Sequence, residues 1–351
     1  MTHENSFEKL LSTLTREGTL YETLPDNKVM CYACAHLCKI KDGAAGVCRI
    51  RFNQGGILRV PYGYVAALQS DPIEKKPFFH VMPGSQALSF GMFGCDMHCA
   101  YCQNWISSQA LIEPTTFNVP QKTSPEEIIL QAIQHQAPVI VSTYNEPLIT
   151  SEWALAIFKK AKSAGFKTAF VSNGNASEKV LEYLKPYLDM VKVDLKSFNE
   201  KHYRFLGGQL KTVLSTIRLL YAMKFWLEIV TLVIPGFNDS DEELSDIAEF
   251  IHSVSPDIPW HVTAFHRDYK MLDHENTSTA TLLRAVQIGE KAGLRYIYAG
   301  NIPGAVGSLE NTYCPECKTL LIKRNGFHVH KIFLSHGHCP NCRALIPGIW
   351  E

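Results

Sequence analysis

Every one of the eleven cysteines in this chain belongs to a tight group, and the spacing within each group is that of metal ligands. Cys95, Cys99 and Cys102 are arranged C-x3-C-x2-C. Cys31, Cys34, Cys38 and Cys48 are arranged C-x2-C-x3-C-x9-C. Cys314, Cys317, Cys339 and Cys342 form two C-x2-C pairs with 21 residues between them. Two groups can close a tetrahedral site, whereas the middle one is a thiolate short. A closed site holds structure, but a metal with an open position can bind and activate a substrate. Three thiolates can hold three irons of a cubane [4Fe–4S] cluster and leave the fourth iron for an external ligand. The competing arrangements are three thiolates plus His98 on zinc, or a fourth cysteine borrowed from another group. Disulfides are the ordinary alternative for all three groups, and a reducing compartment disfavours them.

The C-terminal pairs have the spacing of a zinc ribbon or a rubredoxin-like knuckle, with structural zinc expected and mononuclear iron as the alternative. Arg324-Asn325-Gly326-Phe327 between them predicts a hairpin turn. The N-terminal four suit either structural zinc or an auxiliary [4Fe–4S] cluster, and His36 is a possible replacement ligand.

The elements that must position these groups follow from periodicity. Residues 5–25 predict one amphipathic helix, 26–50 a cysteine-rich knuckle, and 51–60 a hairpin turning at Gln54-Gly55-Gly56. Apolar runs at 86–91, 138–143, 167–172, 190–195, 226–234 and 259–265 predict strands. Helical patterns at 124–136, 150–164, 176–187, 207–223, 239–254 and 278–292 fall between or after them. Ser124-Pro125-Glu126-Glu127 and Ser240-Asp241-Glu242-Glu243 are helix starts. Six β-α alternations imply a parallel sheet, either open and doubly wound or a full or partial barrel. In both, functional groups gather beyond the C-terminal strand ends. Cys95, Asn145-Glu146-Pro147, Asn173-Gly174, Asp194 with Lys196, Pro235-Gly236 and His266 all fall there.

The 351 residues suit one large α/β domain with small attachments, and 46% hydrophobic with 19% charged residues is an ordinary globular composition. Thirty-four basic residues balance 34 acidic ones, so bulk nucleic acid is not an expected partner. Met1-Thr2-His3-Glu4-Asn5-Ser6 has no signal-peptide pattern and no run has the length of a membrane span, so a cytoplasmic location is expected.

The Gly94–Cys102 motif, with Tyr101 before its last cysteine, resembles the signature of the radical S-adenosylmethionine (SAM) superfamily. Asp71-Pro72-Ile73-Glu74-Lys75-Lys76-Pro77, Pro83-Gly84, Cys102-Gln103-Asn104-Trp105 and Ile346-Pro347-Gly348-Ile349-Trp350 resemble a narrower family, the radical SAM enzyme of the AmmeMemoRadiSam system, related to pyruvate formate-lyase activases. This resemblance implies a partial (β/α)6 TIM-like barrel over 61–305, an N-terminal helix and metal knuckle over 1–60, and a zinc-ribbon module over 306–351. It implies a [4Fe–4S] cluster on Cys95, Cys99 and Cys102 whose open iron is chelated by SAM. Reductive cleavage of SAM would then give a 5′-deoxyadenosyl radical. Tyr101 is expected beside the cofactor. Glu146 would accept the SAM ammonium, although Tyr144 and Asn145 stand where relatives carry two glycines. Asn173 would lie by the methionine moiety, Asp194 and Lys196 would grip the ribose and carboxylate, Ile234–Asp239 would pack on the adenine, and His266 would lie near SAM. Ordinary structural roles compete: a helix-start carboxylate for Glu146, a turn for Asn173-Gly174, a salt bridge for Asp194 and Lys196, and a surface or core histidine for His266.

The enzyme so implied abstracts hydrogen from, or adds its radical to, a substrate. An activase acting on a partner protein needs an open face, whereas a small-molecule enzyme can use its terminal modules as lids. An electron donor of the flavodoxin or ferredoxin type is implied, with Memo-type and AMMECR-type proteins as pathway partners. The contrasting class is a scaffold that holds only zinc.

Overall fold

The computed structural model describes residues 6–113 and 119–351. Its main body is built mainly from apolar parallel strands joined by helices that cover the outer face of the sheet. Eight strands form the sheet: β1 (Ala67–Pro72), β2 (Gln86–Gly91), β3 (Val139–Ser142), β4 (Lys167–Ser172), β5 (Met190–Asp194), β6 (Trp226–Val233), β7 (Trp260–Ala264) and β8 (Ile297–Gly300). They lie in the order β8-β7-β6-β5-β4-β3-β2-β1. β2 to β8 are parallel, with Ile140 opposite Leu88 and Val230 opposite His261. β1 is antiparallel to β2, from Ala67 opposite Gly91 to Pro72 opposite Gln86. Among the described residues β1 and β8 are not paired, so the barrel is partial, with a lateral slot between its edges.

The helices that join its strands are α1 (Pro125–Gln134), α2 (Ser151–Ser163), α3 (Glu178–Leu184), α4 (Glu200–Leu206), α5 (Leu210–Ala222), α6 (Asp241–Val254) and α7 (Thr279–Lys291). Their starts follow from sequence. Ser124 Oγ accepts from Glu127 N (3.2 Å) while Glu127 accepts from Ser124 N (2.7 Å), a reciprocal cap. Ser240 caps α6 through Glu243 N at 3.2 Å. Along each strand, alternate residues divide between helix and lumen. Val191 and Val193 of β5 join the core under the helices, while Lys192 and Asp194 face the lumen. On β6 the same alternation turns Leu227, Ile229 and Val233 outward and Val230 and Leu232 inward. A small apolar plug of Ile73, Phe78, Val81, Ala87, Val139, Val141, Ala169 and Met190 is a separate packed cluster.

The expected helix over 5–25 is shorter. Its first residue lies outside the described residues, the helix is Ser6–Thr13, and strands Thr15–Glu17 and Tyr21–Leu24 follow. Thr13, Thr15 and Thr19, with Gly18 among them, favour extended backbone over further helical turns. The hairpin at 51–60 forms as strands Phe52–Gln54 and Ile57–Pro61, with Gly55 and Gly56 both at positive φ in the turn. The N-terminal module is fixed to the barrel by Arg51, which donates to both carboxylate oxygens of Glu152 on α2 at 2.7 Å. Glu152 also accepts from Thr19 N and Leu20 N, and both side chains of the pair are 1% exposed.

The C-terminal module is a three-stranded sheet of β9 (Thr312–Tyr313), β10 (Leu320–Asn325) and β11 (His328–Ile332). It packs over the slot. Arg324, on β10, donates to Phe79 O (2.7 Å) and Thr312 Oγ1 (2.7 Å) and reaches Glu74 at 3.4 Å. From there a chain of hydrogen bonds enters the barrel: Thr312 to Tyr298 OH (2.9 Å), Tyr298 to His80 Nε2 (2.7 Å), and His80 Nδ1 to Pro347 O (2.7 Å). The Pro347 carbonyl can only accept, so His80 carries its proton on Nδ1 and Nε2 accepts from Tyr298.

Candidate active site

A cavity of about 420 Å³ opens inside the barrel. Cys99, Tyr101, Cys102, Asp194 and Lys196 face it, together with Lys76, Tyr144, Lys192, His261 and Tyr298. The loop after β2 carries the three cysteines. Gly94, at φ +90°, turns the chain there, and a Cβ on it would come within 3.3 Å of Cys48 O. Glycine thus lets the N-terminal knuckle pack directly on the cysteine loop.

The loop is held from several sides. Cys95 Sγ accepts from Met97 N at 3.4 Å, and Cys102 Sγ lies 3.2 Å from Ser108 Oγ. Asp96, 1% exposed, accepts from Asn173 Nδ2 and Asn175 Nδ2, both at 2.8 Å. His36 Nε2 donates to the Asp96 carbonyl at 3.1 Å, which brings the N-terminal module to the same point. Asp96 and Asn175 were not singled out from sequence. Their signal was an acid inside the cysteine motif and an amide two residues after Asn173.

Burial raises all three thiols above their ordinary range, Cys99 to about 11 even though Lys196 draws it down. Three cysteines on one buried loop are a donor set that fits an iron–sulfur cluster, whose metal would turn thiol into thiolate. Among the described residues, only Cys314, Cys317, Cys339 and Cys342 bring their ligand atoms within 4.8 Å of one another. The three loop cysteines with His98 are not such a group. His98 instead packs over Gly207, where a Cβ would come within 2.5 Å of its ring. Cys31, Cys34, Cys38 and Cys48 also lie outside that single-ion range.

The sequence-predicted cradle divides into three layers. Asp194 and Lys196 stand on the cavity wall 3.3 Å apart, and Asp194 also binds Lys192. Tyr101 packs edge-on against Phe237, ring centroids 6.0 Å apart, which ties the cysteine loop to the Ile234–Asp239 segment. Glu146 and Asn173 stand just behind the wall. Glu146 accepts from Ser172 Oγ (2.7 Å), Asn173 N (2.7 Å) and Leu148 N (3.1 Å). Burial, reinforced by Asp96, raises its carboxyl to about 8. The Leu148 contact is the helix-start role weighed from sequence, here at a 3-10 turn. His266 is at the exposed rim, with its Nε2 2.8 Å from Gln103 Nε2 in the cysteine loop. The imidazole must accept there from the carboxamide N–H.

At Tyr144 the backbone adopts a glycine-like course. Tyr144 has φ +68°. Gly91 makes room beneath it, since a Cβ there would meet Thr143 O at 2.3 Å and Tyr144 Cβ at 2.8 Å. Asn145 is structural: Oδ1 accepts from Met92 N at 2.9 Å.

The radical SAM superfamily pattern matches residues 90–251. An uncharacterized protein of Methanocaldococcus jannaschii, MJ0808, is 37% identical over 321 residues, covering 91% of this chain and 94% of the relative. The pyruvate formate-lyase-activating enzyme of Staphylococcus aureus is 25% identical over 243 residues, covering 63% of this chain and 92% of that enzyme. A solved domain of such an activating enzyme from Bacteroides vulgatus ATCC 8482 is 22% identical and covers 46% of this chain and 98% of its own, with TM-score 0.41. The chain belongs to the radical SAM superfamily and is an enzyme of that class, similar in sequence to the activating enzymes. The family implies a [4Fe–4S] cluster and SAM, and no described helix is long and apolar enough to cross a membrane.

Proposed function

We propose that this chain uses Cys95, Cys99 and Cys102 to hold a [4Fe–4S] cluster and modifies a small molecule inside the barrel by hydrogen abstraction or radical addition. When bound, the cluster and SAM supply a carbon-centred radical by reductive cleavage of SAM. The chain's residues then position and insulate. Lys196 and Asp194 hold polar groups of SAM on the wall, and Tyr101 with Phe237 gives it an apolar face. Asn173 is assigned to its methionine end, and His266 to the rim beside it. Glu146 is the acceptor for its ammonium, releasing Ser172 Oγ to do so. The observation that carries the small-molecule reading is the C-terminal module over the slot, with Phe327 at its hairpin turn lining the cavity. A protein segment reaching the barrel from the side would meet that turn.

The C-terminal four, already within single-ion distance, suit structural zinc. Thr319, whose hydroxyl is 3.2 Å from Cys317 Sγ, leads the contacts that hold that thiol below its ordinary value. The N-terminal four are assigned structural zinc or an auxiliary [4Fe–4S] cluster. An electron donor of the flavodoxin or ferredoxin type, Memo-type and AMMECR-type partners and a cytoplasmic location complete the reading.

Anaerobic purification with iron and sulfide reconstitution tests it. Brown protein with about four irons at the middle site, releasing 5′-deoxyadenosine on reduction with SAM, is the expected result. Protein that stays colourless and holds only zinc would overturn it in favour of a scaffold.

A further inference from the structure

Two lysines of the barrel lumen have no task in the cofactor cradle. Lys76 follows β1, Lys192 lies inside β5, and each side chain is 5% exposed. Lys76 Nζ donates to Asp71 Oδ2 (2.9 Å) and Tyr144 OH (3.0 Å), which leaves one ammonium N–H over. Lys192 has Asp194 as its hydrogen-bond partner, which leaves two. An ammonium has three donors, and burying it with donors unmet is costly. Burial lowers the pKa of both lysines, the sign of a charge not fully compensated by its surroundings.

The charge balance of the chamber points the same way. Its wall carries Lys75, Lys76, Lys192 and Lys196 against Glu74 and Asp194. Adding Asp71, Arg324 and Glu228, which pair with wall residues from behind, gives five cations to four carboxylates, with the Glu228 carboxylate taken up by His261. A [4Fe–4S] unit on three thiolates is anionic overall and SAM is cationic, so that pair adds little net charge and leaves the excess standing. Tyr144 is a second, independent observation. It is held at positive φ, where a tyrosine is strained, and that strained backbone places its hydroxyl on Lys76.

We propose that Lys76 and Lys192 form an oxyanion receptor on the barrel wall, and that the substrate is a small molecule bearing a carboxylate or phosphate group. Tyr144 is the positioning residue for Lys76. The inference rests on the proposed function, because it places the substrate in the chamber that the cluster loop also faces.

The test uses cluster-loaded protein with SAM under anaerobic conditions, and equilibrium dialysis against radiolabelled inorganic phosphate or radiolabelled benzoate. Saturable binding of one probe is expected, weakened at least about tenfold in Lys76→Gln and in Lys192→Gln. The exposed control Lys211→Gln should leave it unchanged. Preference for phosphate assigns a phosphoryl group, and preference for benzoate a carboxylate. Tyr144→Phe, which keeps the ring and loses the hydroxyl, should weaken binding by a smaller factor and covers the case of a lysine variant that fails to fold. The proposal is overturned if neither probe binds saturably, or if the lysine variants bind both probes as the parent does. It is equally overturned if the variants lose SAM affinity and keep anion affinity, which would place the lysines in the SAM cradle. Iron content and 5′-deoxyadenosine release from the same samples separate the two readings. Parent protein that releases 5′-deoxyadenosine and binds neither anion sinks this inference alone, whereas cluster-loaded protein that releases none sinks the function beneath it.

Discussion

Glu146 shows how one side chain serves structure and chemistry together. Its carboxylate is buried, which penalises the charge, and three donors already address it. A cation arriving beside it would restore the ionised form. Glu146→Gln keeps the shape and removes the charge. SAM affinity of the reconstituted protein should then fall about tenfold or more, the scale of one charge-assisted hydrogen bond. Unchanged affinity would leave Glu146 as the cap of a turn and nothing else. Cys99→Ala should abolish 5′-deoxyadenosine release and cluster colour while the thermal unfolding midpoint moves by a few degrees at most. Turnover that persists in that variant would contradict the ligand assignment. Cys99 was legible in sequence from the cysteine spacing, and Glu146 from its place past a strand end together with the family resemblance. Lys76, Lys192 and Tyr144 were not legible as a group, because their meeting depends on strand order. The one local signal was the alternation Lys192-x-Asp194-x-Lys196, which puts three charges on one face of a strand.

At the scale of elements, the N-terminal module depends on Arg51 and Glu152. Removing one member of a fully buried ion pair leaves the other uncompensated, at a cost of about 3–5 kcal/mol. Arg51→Met should therefore lower stability in chemical denaturation by that amount. The double variant Arg51→Met, Glu152→Leu should recover much of the loss, since both charges are then gone. Full additivity of the two single losses would show that the pair does not interact. The strands predicted from apolar runs occur within a residue or two of their expected ends, because each is buried on both faces. β1, with polar Gln69, Ser70 and Asp71, carries no apolar run, and β8 spans only four residues. Neither was legible, and those are the two edges that frame the slot. Helix α4 was missed as well, being two turns long beside a stronger pattern.

At the scale of the whole molecule, one buried imidazole links barrel and C-terminal module. Burial lowers His80 from 6.5 to about 4 despite the attraction of Glu228. A histidine kept neutral by folding stabilises the native state fully above its unfolded value of about 6.5. That contribution is lost as pH falls from there to about 4, where the folded state binds the proton as well. The loss is on the order of 3 kcal/mol. His80→Gln should flatten the dependence of stability on pH between about 4 and 6.5, measured by denaturant midpoints; an unaltered acid limb would assign the titration elsewhere. Chelation tests the same seam. Stripping metal from Cys314, Cys317, Cys339 and Cys342 should loosen residues 312–351, raising their amide exchange while β3 to β6 stay protected. Uniform exchange across the barrel would show that the module's metal supports the entire fold.

The covered slot sets a rule of exclusion for whatever chemistry the barrel performs. A carbon-centred radical takes the nearest weakly held hydrogen and has little intrinsic choice among them. Where Phe327 and Arg324 wall off the side of the chamber, bystander peptides and bulk solvent are kept at arm's length, so selectivity is a matter of admission rather than of reactivity. Trimming the Phe327 ring would then register first as leakage, with SAM consumed and nothing made from it.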